Sequence, residues 1–136
     1  MQAIIFKNIA LIVILLTHFL SDFNFVIKER REVILYEIYN IVQTYGFVID
    51  EYSPTSDCVF RSQPFIVDDI ACKLEVYIIY HGLNTYKLRF TFKFYQITPN
   101  GLVKTNTINQ TLFNLLNNLK SDVRQTFFFR ILYEND

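Results

Sequence analysis

Few residues here could perform catalysis. Among 136 residues there are two histidines, two cysteines, three glycines, three prolines, one methionine and no tryptophan. His18 and His81 have no partner at metal-ligand spacing, and neither HExxH nor CxxC occurs. Gly46, Gly82 and Gly101 each fall at a helix stop or a turn, which leaves none for a phosphate-cradling loop. The acidic residues from Asp50 to Asp69 lack the DxDxDG spacing of a calcium loop. No catalytic residue, metal or cofactor is therefore expected. An enzyme with dispersed active-site residues ranks third among the functional readings.

Net charge is also absent. Thirteen Lys and Arg balance thirteen Asp and Glu, so no global field points to nucleic acid or to a membrane surface. The balance conceals a segregation. Residues 47–72 carry Asp50, Glu51, Asp57, Asp68 and Asp69 against Arg61, whereas 73–104 carry Lys73, Lys87, Arg89, Lys93 and Lys104 against Glu75. No repeat, low-complexity tract or Pro/Gly-rich linker marks a second domain.

Apolar residues, in contrast, are plentiful, at 51% of the chain. Residues 9–20, IALIVILLTHFL, are uncharged and follow Lys7, the pattern of a secretory signal or an uncleaved anchor. No small-x-small cleavage site follows, and Lys28, Arg30 and Arg31 beyond the segment favour cytoplasmic retention by the positive-inside rule. The expectation is a signal or membrane-anchor segment over 1–21 and one extracytoplasmic domain over 22–136. The alternative is a cytoplasmic protein in which the apolar run is a core element.

The organising stretch is 72–97. Leu74, Val76, Ile78 and Tyr80 alternate with Lys73, Glu75, Tyr77 and Ile79. Beyond a turn, Tyr86, Leu88, Phe90, Phe92 and Phe94 alternate with Lys87, Arg89, Thr91 and Lys93. Period-two alternation predicts a half-buried antiparallel hairpin. A three-residue loop, Gly82-Leu83-Asn84, pairs His81 with Thr85 and Tyr80 with Tyr86, continuing to Cys72 with Phe94. Asn84 is suited to the left-handed position that ends such loops. Past Phe94 the apolar positions become odd (Tyr95, Ile97, Val103), which predicts a bulge or a change of partner near 95.

Residues 28–45 predict an amphipathic helix with Ile34, Ile38, Ile41 and Tyr45 on its apolar stripe and Gly46 as its stop. Short strands are expected at 47–52, 58–62 and 102–105. Thr98-Pro99-Asn100-Gly101 reads as a turn. Thr107 and Gln110 match a capping box opening a second helix that runs to about Phe128. The tail, 127–136, fits helix or strand.

The fold class expected is thus α+β: an antiparallel sheet of four to five strands with two amphipathic helices on one face, preceded by the apolar segment. Cys58 and Cys72 are candidates for one disulfide in an exported domain, or for free thiols in a cytosolic one. The acidic group Asp50, Glu51, Asp57, Asp68 and Asp69 is a candidate docking surface for a basic partner. Tyr77, Lys87 and Arg89, on the outer face of the hairpin, are further candidates for partner binding. The leading function is a non-catalytic protein-binding accessory domain, exported or membrane-anchored, of inhibitor, immunity or chaperone type. Another protein is the expected partner, nucleic acid is not, and a membrane is engaged only if the N-terminal segment is retained. The alternative is a carrier of a small apolar ligand between sheet and helices.

Overall fold

The computed structural model describes residues 22–135. In chain order these form β1 (Asp22–Lys28), α1 (Arg31–Thr44), β2 (Ile49–Tyr52), β3 (Cys58–Ser62), β4 (Phe65–Val67), β5 (Ile70–Gly82), β6 (Thr85–Thr98), β7 (Gly101–Thr105), α2 (Gln110–Thr126) and β8 (Ile131–Asn135). All strand pairs are antiparallel. The fold is α+β with two helices, as expected, but the sheet has eight strands rather than four or five. The expected signal or anchor segment, 1–21, lies outside the described residues. Among the described residues no helix is long and apolar enough to cross a membrane.

The β5–β6 hairpin is the middle of the sheet. Its register pairs Tyr80 with Tyr86, Ile78 with Leu88, Val76 with Phe90, Leu74 with Phe92 and Cys72 with Phe94, as the alternation predicts. The turn differs. Gly82, not His81, pairs with Thr85, and the loop is Leu83-Asn84, both at positive φ. A two-residue loop alone would put opposite faces together. The register shift between Tyr80 and Gly82 inserts His81 as an extra residue and restores face-to-face pairing.

Each outer edge of the hairpin is shared by two shorter strands. β3 and β4 divide the free edge of β5, while β1 and β7 divide that of β6. The parity shift near residue 95 is therefore a change of partner. β1 pairs with β6 as far as Thr91, β7 takes over at Phe94, and the β5–β6 register runs unbroken through both.

Three strands exceed the sequence expectation. β1, DFNFVIK, is short and lies between an apolar run and a charged helix start, yet it pairs with β6 on one side and β8 on the other. Its Phe23, Phe25 and Ile27 are fully buried. β4 has only three residues. β8 places the tail as strand from Ile131.

One contiguous core joins the inner sheet face (Phe25, Cys72, Val76, Phe90) to Ile34 and Ile38 of α1 and Leu112, Leu116 and Val123 of α2. The second helix starts later than its capping-box pattern implies. Asn109 is the cap, its side chain accepting from the Leu112 amide at 2.8 Å and donating to the Val67 carbonyl at 3.0 Å. Asn109 can thus satisfy the helix start and tie it to β4, which Thr107 does not. The two helices are joined by the Tyr45 hydroxyl, which donates to Asp122; burial, then this carboxylate, push the phenol up to about 12. At the end of α1, Gly46 has φ +94°, and an added Cβ would lie 2.9 Å from the Phe65 ring.

Candidate functional site

Aromatic and charged side chains meet on the outer face of the sheet and in a groove between α1 and the edge strand β2. On the outer face, strand alternation points Glu75 and Tyr77 of β5 and Arg89 and Lys93 of β6 away from the helices. Glu75 is the hub. Its carboxylate accepts from Lys93 Nζ at 2.7 Å, Arg61 Nε at 3.0 Å and the Tyr77 hydroxyl at 3.2 Å. The Lys93 hydrogen bond, with smaller help from Arg61 and Tyr77, outweighs burial and holds this carboxyl below its ordinary range. Arg61 also reaches Glu51 at 3.3 Å.

Nearby, Arg89 forks onto Asp22, with Nη2 at 2.8 Å and Nε at 3.1 Å from Oδ2. Its guanidinium lies 5.9 Å from the centre of the Tyr77 ring. Lys73 stands 5.5 Å from the centre of the Tyr95 ring. Lys87 occupies the same face, opposite Ile79. Tyr77, Lys87 and Arg89 are therefore together, as the sequence implies, but Arg89 and Tyr77 are already engaged within the sheet. On this face the Glu75 and Asp22 carboxylates are matched by Lys93, Arg61 and Arg89, whereas Lys87 has no carboxylate partner among the described residues.

The acidic candidates do not form one surface. Asp50 and Glu51 lie on β2, and Glu51 is paired with Arg61. Asp57 sits in the β2–β3 loop, its carbonyl accepting from the Ile78 amide. Asp68, at φ 56°, and Asp69 form the β4–β5 turn, where Asp69 accepts from Gln96 Nε2 at 2.7 Å. Asp57 thus lies beside Ile78 of β5 and Asp69 beside Ile70, positions about 26 Å apart at the usual strand rise. Sequence proximity grouped residues that the β3–β4–β5 meander separates.

The disulfide weighed from the sequence is not formed, and Cys58 and Cys72 are free. Cys72 is on the inner face opposite Phe94, while Cys58 pairs with Tyr77 and is on the outer face. Burial pushes the Cys72 thiol up to about 12 and also raises that of Cys58, against the nearby Arg61. Neither thiol is activated as a nucleophile. His81 meets Tyr133, whose hydroxyl is 3.1 Å from Nε2. Among the described residues no group of three or more His, Cys, Asp or Glu is arranged to hold a metal ion.

The groove is the region with unspent chemistry. Helix α1 contributes Glu32, Leu35, Tyr36 and Tyr39; β2 and β3 contribute Ile49, Asp50, Tyr52 and Phe60. Its volume is about 460 Å³. Glu32, Tyr36 and Tyr39 stand at i, i+4 and i+7, one stripe of the helix beside the Ile34–Ile38 core stripe. Phe60, 1% exposed, forms the floor. Tyr52 stacks on it at 5.4 Å between centroids and Tyr39 tilts against it at 5.7 Å. Tyr36 and Tyr52 remain 71% and 56% exposed.

Arg31 sets the shape of this end. Its guanidinium donates to the carbonyls of Pro54 (3.1 Å), Ser56 (2.6 Å) and Ile78 (2.8 Å), fastening the β2–β3 loop to the start of α1. Among the described residues, neither Glu32 nor Asp50 has a hydrogen-bond or ion-pair partner, and no Lys or Arg lines the groove. Of the candidates read from the sequence, only Asp50 is in this site. The signal for the others is the Glu32–Tyr36–Tyr39 spacing, but the strand opposite that stripe is set by long-range pairing. Neither protein-family models nor curated proteins match this chain.

Proposed function

We propose that the protein is a non-catalytic protein-binding domain whose contact site is the groove between α1 and β2. The observation that supports this reading is a cluster of exposed tyrosines around a buried phenylalanine, beside two carboxylates that have no partner among the described residues. Tyrosines supply large contact area with a polar tip, and they are enriched where one protein meets another. β2 is also an end of the sheet order, so its outer backbone edge borders the same groove. The setting we infer is exported or membrane-anchored, through the apolar segment at 9–20, as an accessory of inhibitor, immunity or chaperone type. A carrier with an apolar ligand between sheet and helices is less well supported, because one contiguous core occupies that space.

A position-specific crosslink tests this reading. A benzophenone amino acid in place of Tyr36, expressed in the source cell, is expected to trap a discrete protein. The same probe in place of Tyr77 is not. Crosslinks from the Tyr77 position with none from the Tyr36 position would place the contact on the outer face and overturn the reading.

A further inference from the structure

We infer that the groove recognises a cationic side chain, lysine or arginine, carried by a basic segment of the partner; this deepens, and rests on, the groove being the contact site. Three features of the lining point to that chemistry together. The floor and inner wall, Phe60, Leu35 and Ile49, are apolar and suit the methylene stem of a long side chain. The rim presents the rings of Tyr36, Tyr39 and Tyr52, whose faces attract a cation within about 6 Å of the centroid. Glu32 and Asp50 lie on opposite walls, one on the helix and one on the strand, and neither carboxylate has a partner among the described residues.

The contrast with the surroundings makes the charge meaningful. The neighbouring cation on α1, Arg31, is committed to three backbone carbonyls. Arg61, across the sheet edge, is taken by Glu51 and Glu75 on the other face. The groove thus carries negative charge that no other described residue answers, over an aromatic floor already partly dry. A volume of about 460 Å³ accommodates one long side chain together with part of the backbone that bears it. An uncharged apolar side chain would fill the floor but leave two carboxylates facing it without compensation.

The test uses two short probes on the whole protein: an acetylated, amidated Ser-Arg-Ser-Arg-Ser peptide, and the same peptide with citrulline for each arginine. Citrulline keeps the length and most of the shape and removes the charge. In calorimetric titrations the arginine peptide is expected to bind at least about tenfold more tightly than the citrulline peptide. Asp50→Asn combined with Glu32→Gln, and separately Tyr36→Ala, should each weaken the arginine peptide by about tenfold or more while thermal melting stays close to wild type. Equal affinity for the two peptides, or an arginine affinity untouched by the carboxylate substitutions, overturns the inference. If Tyr36→Ala still weakens both peptides, the groove remains the contact site and only its cation preference falls. No binding of the arginine peptide at millimolar concentration also overturns the inference, and the Tyr36 crosslink then decides the broader reading separately.

Discussion

The outer face of the sheet and the α1–β2 groove hold the same kinds of residue in opposite states. Both combine tyrosines with carboxylates. On the outer face the carboxylates of Glu75 and Asp22 are matched by Lys93, Arg61 and Arg89 from neighbouring strands. At the groove, Glu32 and Asp50 line opposite walls beside aromatic rings, and among the described residues no Lys or Arg joins them in the lining. The basic and aromatic residues of the outer face interleave visibly in the sequence, but cross-strand pairing engages Lys93, Arg61 and Arg89 with that face's carboxylates. A charged, aromatic surface is available for recognition only to the extent that its own fold has left it unpaired.

The largest expected effect sets the scale for this comparison and comes from neither region. Phe90, on the inner face opposite Val76, is fully buried and stacks on Phe23 at 4.7 Å. Phe90→Ala should cost roughly 3–5 kcal/mol in denaturant melts. Arg89→Ala, one residue away on the outer face, loses a half-exposed ion pair and should cost no more than about 1 kcal/mol. Equal losses would contradict the assignment of faces.

A middle-sized effect probes how α1 is set against β2. Gly46→Ala puts a Cβ into a left-handed backbone and against the Phe65 ring, and it should destabilise by about 1–2 kcal/mol. An unchanged melt would mean that this corner relaxes freely and that the groove wall is not fixed by it.

Next comes the outer hub. Glu75→Gln should cost about 1–2 kcal/mol at neutral pH, since it weakens charge-assisted bonds from Lys93 and Arg61. The pH dependence has a definite sign. Its folded-state pKa is lowered, so its stabilisation is complete above the ordinary value of 4.5 and is lost as pH falls through the lower folded value. Wild type should therefore approach Glu75→Gln in stability on acidification through that window. A difference that persists or widens there would contradict the ion-pair account of this face.

The smallest stability effect belongs to the groove itself. Tyr36 and Asp50 are exposed and have no hydrogen-bond or ion-pair partners to lose among the described residues, so Tyr36→Ala and Asp50→Asn should each stay within about 0.5 kcal/mol of wild type. A large destabilisation would identify them as structural residues and remove the distinction between the two regions.

The parts of the fold legible from sequence are those with long, regular alternation. Five inner-face pairs of the β5–β6 hairpin, the α1 stripe and the glycine stop at Gly46 follow from local spacing. β1 was obscured by its context, although the alternation of Phe23, Phe25 and Ile27 was present. The His81 bulge escaped because a two-residue loop with an inserted residue preserves the same faces as a three-residue loop. Asn109 displaced Thr107 as the helix cap because its amide also reaches Val67, a contact 42 residues away. The groove was illegible for the same reason on a larger scale. Its two walls, Glu32–Tyr39 and Ile49–Phe60, meet only after β3 has docked on β5, and local pattern does not encode that docking.

The central claim is that partner binding belongs to the groove and not to the outer face. Its most direct measurement is the affinity of the crosslinked partner, once purified, for three folded forms: wild type, Tyr36→Ala/Asp50→Asn, and Tyr77→Phe/Arg89→Ala. The account predicts a loss of at least about tenfold for the groove variant and wild-type affinity, within about twofold, for the outer-face variant. The reverse order would contradict it.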